Sequence, residues 1–151
     1  MLDNIRIFSM KKPVFKELDH TADLGFTVTG RTRATLFVRA ATALFWMVLP
    51  EPLQVAPKSH ALRLHLEADT GALLLREWLS ELLYAHATKH LIFASFRVER
   101  ITSTSITATA TGIPFTKSMM ARATEIKAVT YHGLALERAG SLWHASVVLD
   151  T

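Results

Sequence analysis

Hydrophobic and polar positions change period several times along this chain, and the changes predict its elements. Residues 1–13 show no periodicity and are read as an N-terminal tail or an extra edge segment ahead of one domain over 14–151. Pro13 opens a short strand through Val14, Phe15 and Leu18. The polar stretch Asp19-His20-Thr21-Ala22-Asp23 interrupts it, and Gly25 restarts a strand over Phe26-Thr27-Val28-Thr29-Gly30. From Arg31 the period becomes helical: Leu36, Phe37, Ala40, Ala41, Leu44, Phe45 and Val48 share a wide apolar face. Thr32 is placed to cap that helix, and Pro50 and Pro52 to stop it.

A loop ending at Pro57 precedes Leu62, Leu64 and Leu66, which alternate with Arg63, His65 and Glu67 as in a strand with one buried face. Asp69 or Thr70 can cap a second helix whose buried stripe is Leu75, Trp78, Leu79, Leu82, Leu83 and His86. Arg76, Glu77, Ser80 and Glu81 fall on its exposed side, and it fades near Lys89-His90. Phe93–Ile101 and Ser105–Thr111 read as paired strands joined at Thr102-Ser103-Thr104, with Gly112-Ile113-Pro114 breaking the sheet. Residues 117–124 are compatible with a short helical turn. Strand signals return through Tyr131, over Leu134–Arg138 and over Leu142–Leu149, the last two joined by a turn at Ala139-Gly140-Ser141. Strands, helix, strand, helix and a final run of strands give an α+β class: one domain, a mainly antiparallel or mixed β-sheet and two long amphipathic helices.

One stretch does not obey its own pattern. In an extended Thr124–Gly133, Glu125, Lys127, Val129 and Tyr131 would face one way and Ile126, Ala128, Thr130 and His132 the other. Neither face is cleanly apolar, a conflict that marks strand ends bearing function.

Composition narrows the chemistry. With 151 residues, 50% hydrophobic and 20% charged, the chain is globular and can bury roughly two-thirds of its unfolded surface. It has no cysteine, which removes disulfides, zinc–thiolate sites and thiol catalysis and is compatible with a reducing compartment. Met1–Ile7 is too short and too charged for a signal peptide, and no apolar run approaches a membrane span, so a cytoplasmic protein is expected. The net charge is +4, but Lys11, Lys12, Arg31, Arg33, Arg39, Arg97, Arg100, Lys117 and Arg122 form no dense block. Phe37, Phe45, Trp46, Trp78, Phe93 and Phe96 sit in apolar runs as core residues, so a solvated basic surface is the default over direct nucleic-acid binding.

Candidate chemistry centres on a few acids. Asp19 and Asp23 flank His20 in the polar loop, Asp150 follows the last apolar strand, and Glu125, Lys127 and His132 belong to the irregular stretch. Carboxylates at strand ends suit a hard divalent cation, and Asp23 and Asp150, if they met, would repel without one. The plain alternatives are turn residues hydrogen-bonded to backbone for Asp19 and Asp23, a frayed chain end for Asp150, hydrogen-bonding partners for His20 and His132, and a surface lysine for Lys127. His60, His65, His86, His90 and His144 lack ligand spacing. No phosphate-binding glycine loop, nucleophile elbow or metal-binding helical histidine pair of the His-Glu-x-x-His kind occurs.

The segment Phe15-Lys16-Glu17-Leu18-Asp19-His20-Thr21-Ala22-Asp23-Leu24-Gly25 resembles the opening signature of the archease family. Glu125-Ile126-Lys127-Ala128-Val129-Thr130-Tyr131-His132 resembles its second signature. Ala40–Phe45, Trp78–Tyr84 and the close Trp143–Asp150 fit in the same order. The resemblance implies a cytoplasmic protein cofactor, not itself an enzyme, for an RtcB-type RNA ligase of tRNA splicing and RNA repair. It would promote the ligase's GTP-dependent guanylylation and multiple turnover, meeting RNA indirectly through the ligase, with no membrane and no small-molecule substrate of its own. It also implies a divalent-cation site, calcium with magnesium or manganese as substitutes, at Asp23 and Asp150, with Lys127 functional and Asp19, His20, Glu125 and His132 in support. Arg33 and Arg39 stand where the family tends to be acidic, and Gly112–Lys117 lacks the acids often found there. The rival expectation is a basic RNA-binding or chaperone-like module acting without a ligase; a metal-dependent hydrolase lacks a nucleophile.

Overall fold

The computed structural model describes residues 8–10 (backbone only), 14–18, 24–55 and 59–151. Ten strands and three helices occupy them, and every strand pairing is antiparallel. One sheet holds β2 (Lys16–Glu17), β3 (Leu24–Gly30), β10 (Leu142–Asp150) and β8 (Ala128–Val129) in that order, with β9 (Ala135–Ala139) also on β10. A second sheet has the order β5 (His60–Glu67), β7 (Ser105–Pro114), β6 (Leu91–Ile101). A two-stranded ribbon pairs β1 (Phe8–Met10) with β4 (Leu53–Val55). The residues before Pro13 thus include an edge strand, and its partner β4 falls where the sequence suggested only loop.

Helix α1 (Arg33–Val48) starts where Thr32, in extended conformation, accepts a hydrogen bond from the Thr35 amide on its side chain. It packs on β3 and β10 of one sheet and on β6 of the other. Lying between two sheets, it buries far more than a stripe, including Leu36, Phe37, Ala40, Ala43, Leu44 and Met47. Helix α2 (Gly71–Lys89) is capped by Thr70 and ends at His90, whose left-handed backbone (φ 53°) stops it. It crosses α1, where the fully buried Trp78 indole donates to the Phe37 carbonyl at 3.0 Å. Phe45, Phe93, Phe96 and Trp78 stack edge-on or face-on around that crossing.

Gly112-Ile113-Pro114 does not break the sheet. These residues extend β7, with Gly112 opposite Phe93 and Pro114 opposite Leu91. A Cβ on Gly112 would meet the Ile92 carbonyl oxygen at 2.8 Å, so the glycine serves close strand approach rather than a turn. Proline is tolerated because it is the strand's last residue. The Phe115 amide then donates to the His90 carbonyl, and Thr116 caps the short α3 (Lys117–Arg122). β5 shows its expected alternation, but Leu62, Leu64 and Leu66 are only half-buried because β5 pairs on one side alone.

Replacing Trp78 with phenylalanine removes both volume and a buried donor, a loss of about 2–3 kcal/mol. Scanning calorimetry should show Tm lowered by about 5–10 °C; a shift under about 1 °C would mean that the helix crossing does not depend on the indole.

Candidate functional site

The irregular stretch is a strand for two residues only. Ile126 and Val129 are both buried, three apart, which strict alternation forbids. The chain therefore holds Ala128–Val129 against β10 and bends on either side, correcting the long strand expected over 124–133. Specific bonds fix the path: the Thr124 amide donates to the Val48 carbonyl (2.8 Å), Lys127 to Asp150 (2.7 Å) and Thr130 to Val148 (3.0 Å). The Thr130 hydroxyl lies 3.1 Å from the Val148 carbonyl and 3.2 Å from that of His132. Gly133 closes the turn at φ +66°, and a Cβ there would sit 2.9 Å from Val148 Cγ2.

Lys127 and Asp150 therefore share one end of β10. Their link is backbone to backbone; both side chains point into solvent, and among the described residues they form no ion pair. Glu125 is exposed nearby, while exposed His132 stands in the turn beyond. Asp19, His20 and Asp23 lie outside the described residues. Leu24, the residue after Asp23 in sequence, pairs with Leu149, so β3 begins at the end of the sheet where β10 finishes.

Beside Lys127 runs an open groove of about 870 Å³ between α2, α3 and the 123–129 segment. Apolar Leu83, Tyr84, Met120 and Ile126 line it together with Arg76, Glu81, Glu125 and Lys127. Tyr84 and Met120 are among the exposed large hydrophobics. The helix side expected to face water is half-buried here: Arg76 donates from Nε to the Val129 carbonyl (3.0 Å), and its guanidinium lies 3.8 Å from the Tyr131 ring centroid. Local spacing does not disclose this role of Arg76: its ion-pair partner Glu77 is adjacent, but Val129 and Tyr131 are 53 positions or more away. The groove-facing Ser80 hydroxyl is buried with no hydrogen-bond partner among the described residues.

The family follows from the sequence and fold together. Residues 15–151 match the Archease protein family (MTH1598/TM1083). The chain belongs to the archease family. An archease of Methanosarcina barkeri is 36% identical over 140 residues, spanning 90% of this chain and 94% of that one. The Methanopyrus kandleri archease is 33% identical over 141 residues, covering 98% of its length. The solution structure of Methanobacterium thermoautotrophicum protein 1598 superposes with a TM-score of 0.71 at 31% identity, covering 91% of this chain and 98% of that one. The α+β single domain is thus the archease fold, and no helix among the described residues is long and apolar enough to cross a membrane.

In this archease, His86 closes the groove floor against Phe115 (ring centroids 4.7 Å apart) and hydrogen-bonds the Leu91 carbonyl. Burial lowers its pKa below the usual histidine value, with neighbouring His90 adding to the shift and the Leu91 bond opposing it. A folded-state pKa below the unfolded one means the unfolded chain takes up the proton first as pH falls. The associated stability is complete above about pH 6.5 and declines toward the lowered folded value. Thermal melts between pH 7 and 5 should show a steeper fall for the natural protein than for His86→Gln; parallel curves would show that His86 does not contribute to the acid limb.

Proposed function

We propose that this archease activates an RtcB-type RNA ligase by presenting the Lys127–Asp150 end of β10 to the ligase's nucleotide and metal site. The chain acts as a protein cofactor with no reaction of its own. One observation carries the reading: the Lys127 amide bonded to the Asp150 carbonyl joins the family's second signature to the final aspartate. The adjoining groove supports it, since a mixed apolar and charged trough beside an exposed lysine suits a protein partner better than a small metabolite.

Calcium, magnesium or manganese would be held by Asp150 together with Asp23. The donor chemistry fits a hard cation, because the group exposed at the strand end is a carboxylate. Among the described residues no three of His, Cys, Asp and Glu come together, so Asp150 alone would bind weakly and Asp23 is required. A bound cation would neutralise the acidic end when it meets the ligase's guanylylation site. Lys127 supplies a mobile point charge for a phosphate oxygen, free because no carboxylate among the described residues engages it. Glu125, Asp19, His20 and His132 have supporting roles around these three.

The test is GTP-dependent guanylylation of a purified RtcB-type ligase with and without the chain. Stimulation is expected, and Lys127→Ala or Asp150→Asn should reduce it about tenfold or more, the effect of losing one charged contact. Both side chains are exposed, so melting curves should barely move. Absence of stimulation, or full stimulation by both variants, would overturn the reading.

A further inference from the structure

The opposite end of β10 carries a different chemistry. Trp143 pairs across the sheet with Gly30 on one side and Arg138 on the other. The Arg33 guanidinium carbon lies 4.4 Å from its ring centroid, and that of Arg138 lies 5.9 Å away. Arg31 is exposed just before α1, and Arg39 donates to the Thr29 carbonyl on the neighbouring strand. Residues scattered in sequence thus converge where β3 ends, β10 begins and α1 starts.

This convergence is electrostatically unbalanced. Among the described residues, Arg31, Arg33, Arg39 and Arg138 form no ion pair, although other arginines of the chain do. The carboxylate nearest in register, Glu137, pairs with His144 and so lies on the opposite sheet face from Arg138. The first turn of α1 contains no acid, and Arg33 places a cation at the positive end of the helix dipole. The Trp143 ring attracts guanidinium groups but cannot neutralise them. The buried Nε of Arg33 has no hydrogen-bond acceptor among the described residues. Planar donors fixed against a half-buried ring, with charge uncompensated, match the phosphates of a flexible single strand. None of the exposed large hydrophobics (Val14, Tyr84, Met120, Tyr131) lies on these elements, which disfavours a lipid surface.

We propose that this end of the molecule binds single-stranded RNA directly, with Arg31, Arg33 and Arg138 taking phosphates around Trp143. The site lies about 23 Å along β10 from Asp150 and does not depend on the ligase reading.

Fluorescence anisotropy of a labelled 15-nucleotide oligouridylate with the full chain alone tests it. Three phosphate contacts should give a log–log salt slope of about −2. Arg33→Gln/Arg138→Gln should weaken binding about tenfold or more and bring the slope to about −0.7. Arg31→Gln, at an exposed position where folding is not at stake, should bring the slope to about −1.4. Arg97→Gln/Arg100→Gln, with the same change in net charge on the other sheet, should bind like the natural chain. No binding at about 50 mM salt, or equal loss in both double variants, would overturn the proposal. Equally tight binding of polyglutamate would overturn it in favour of an acidic protein partner.

Discussion

The structure depends on β10 being paired along both edges. β3 runs along one edge from Gly30 to Leu24, while β9 and then β8 share the other. Between β9 and β8 the second edge is handed over through Gly133 and the Thr130 bonds to Val148. A strand in this position has its backbone donors and acceptors satisfied by segments far apart in sequence. That is why the second signature, the polar-loop side of β3 and the chain's final aspartate approach one end of the sheet.

The same strand separates two chemistries. At its final residue a carboxylate and a lysine are held by backbone alone, leaving both side chains free to engage a partner. At its start a tryptophan gathers arginines that no carboxylate among the described residues offsets. Between them, alternate residues of β10 face α1 in the core, as buried Ala145 and Val147 show. A packed core lets the two ends be rigidly placed without communicating through a flexible link.

Much of this was legible in the sequence because helices announce themselves locally. The Thr32 and Thr70 caps, the α1 apolar face and the β6–β7 hairpin follow from spacing and side-chain chemistry within a few residues. What escaped were features set by distant contacts. Ile126 and Val129 both turn inward because β10 on one side and the core on the other override alternation. The polar side of α2 is half-buried because the 123–129 segment lies against it. Gly112 and Pro114 look like breakers locally but fit a strand end. The arginines around Trp143 look scattered in sequence since sheet register, not spacing, assembles them. Lys127 and Asp150, candidates in the sequence whose roles the resemblance implies, are joined in the fold by a backbone bond, whereas Asp19, His20 and Asp23 lie outside the described residues.

Amide hydrogen exchange at the end of β10 measures the central constraint directly. If the Lys127–Asp150 and Thr130–Val148 bonds hold the tip, the amides of Lys127 and Thr130 should exchange as slowly as the inner amides of β10, and much more slowly than that of Glu125. Exchange of Lys127 and Thr130 at the rate of an unprotected loop would contradict the account.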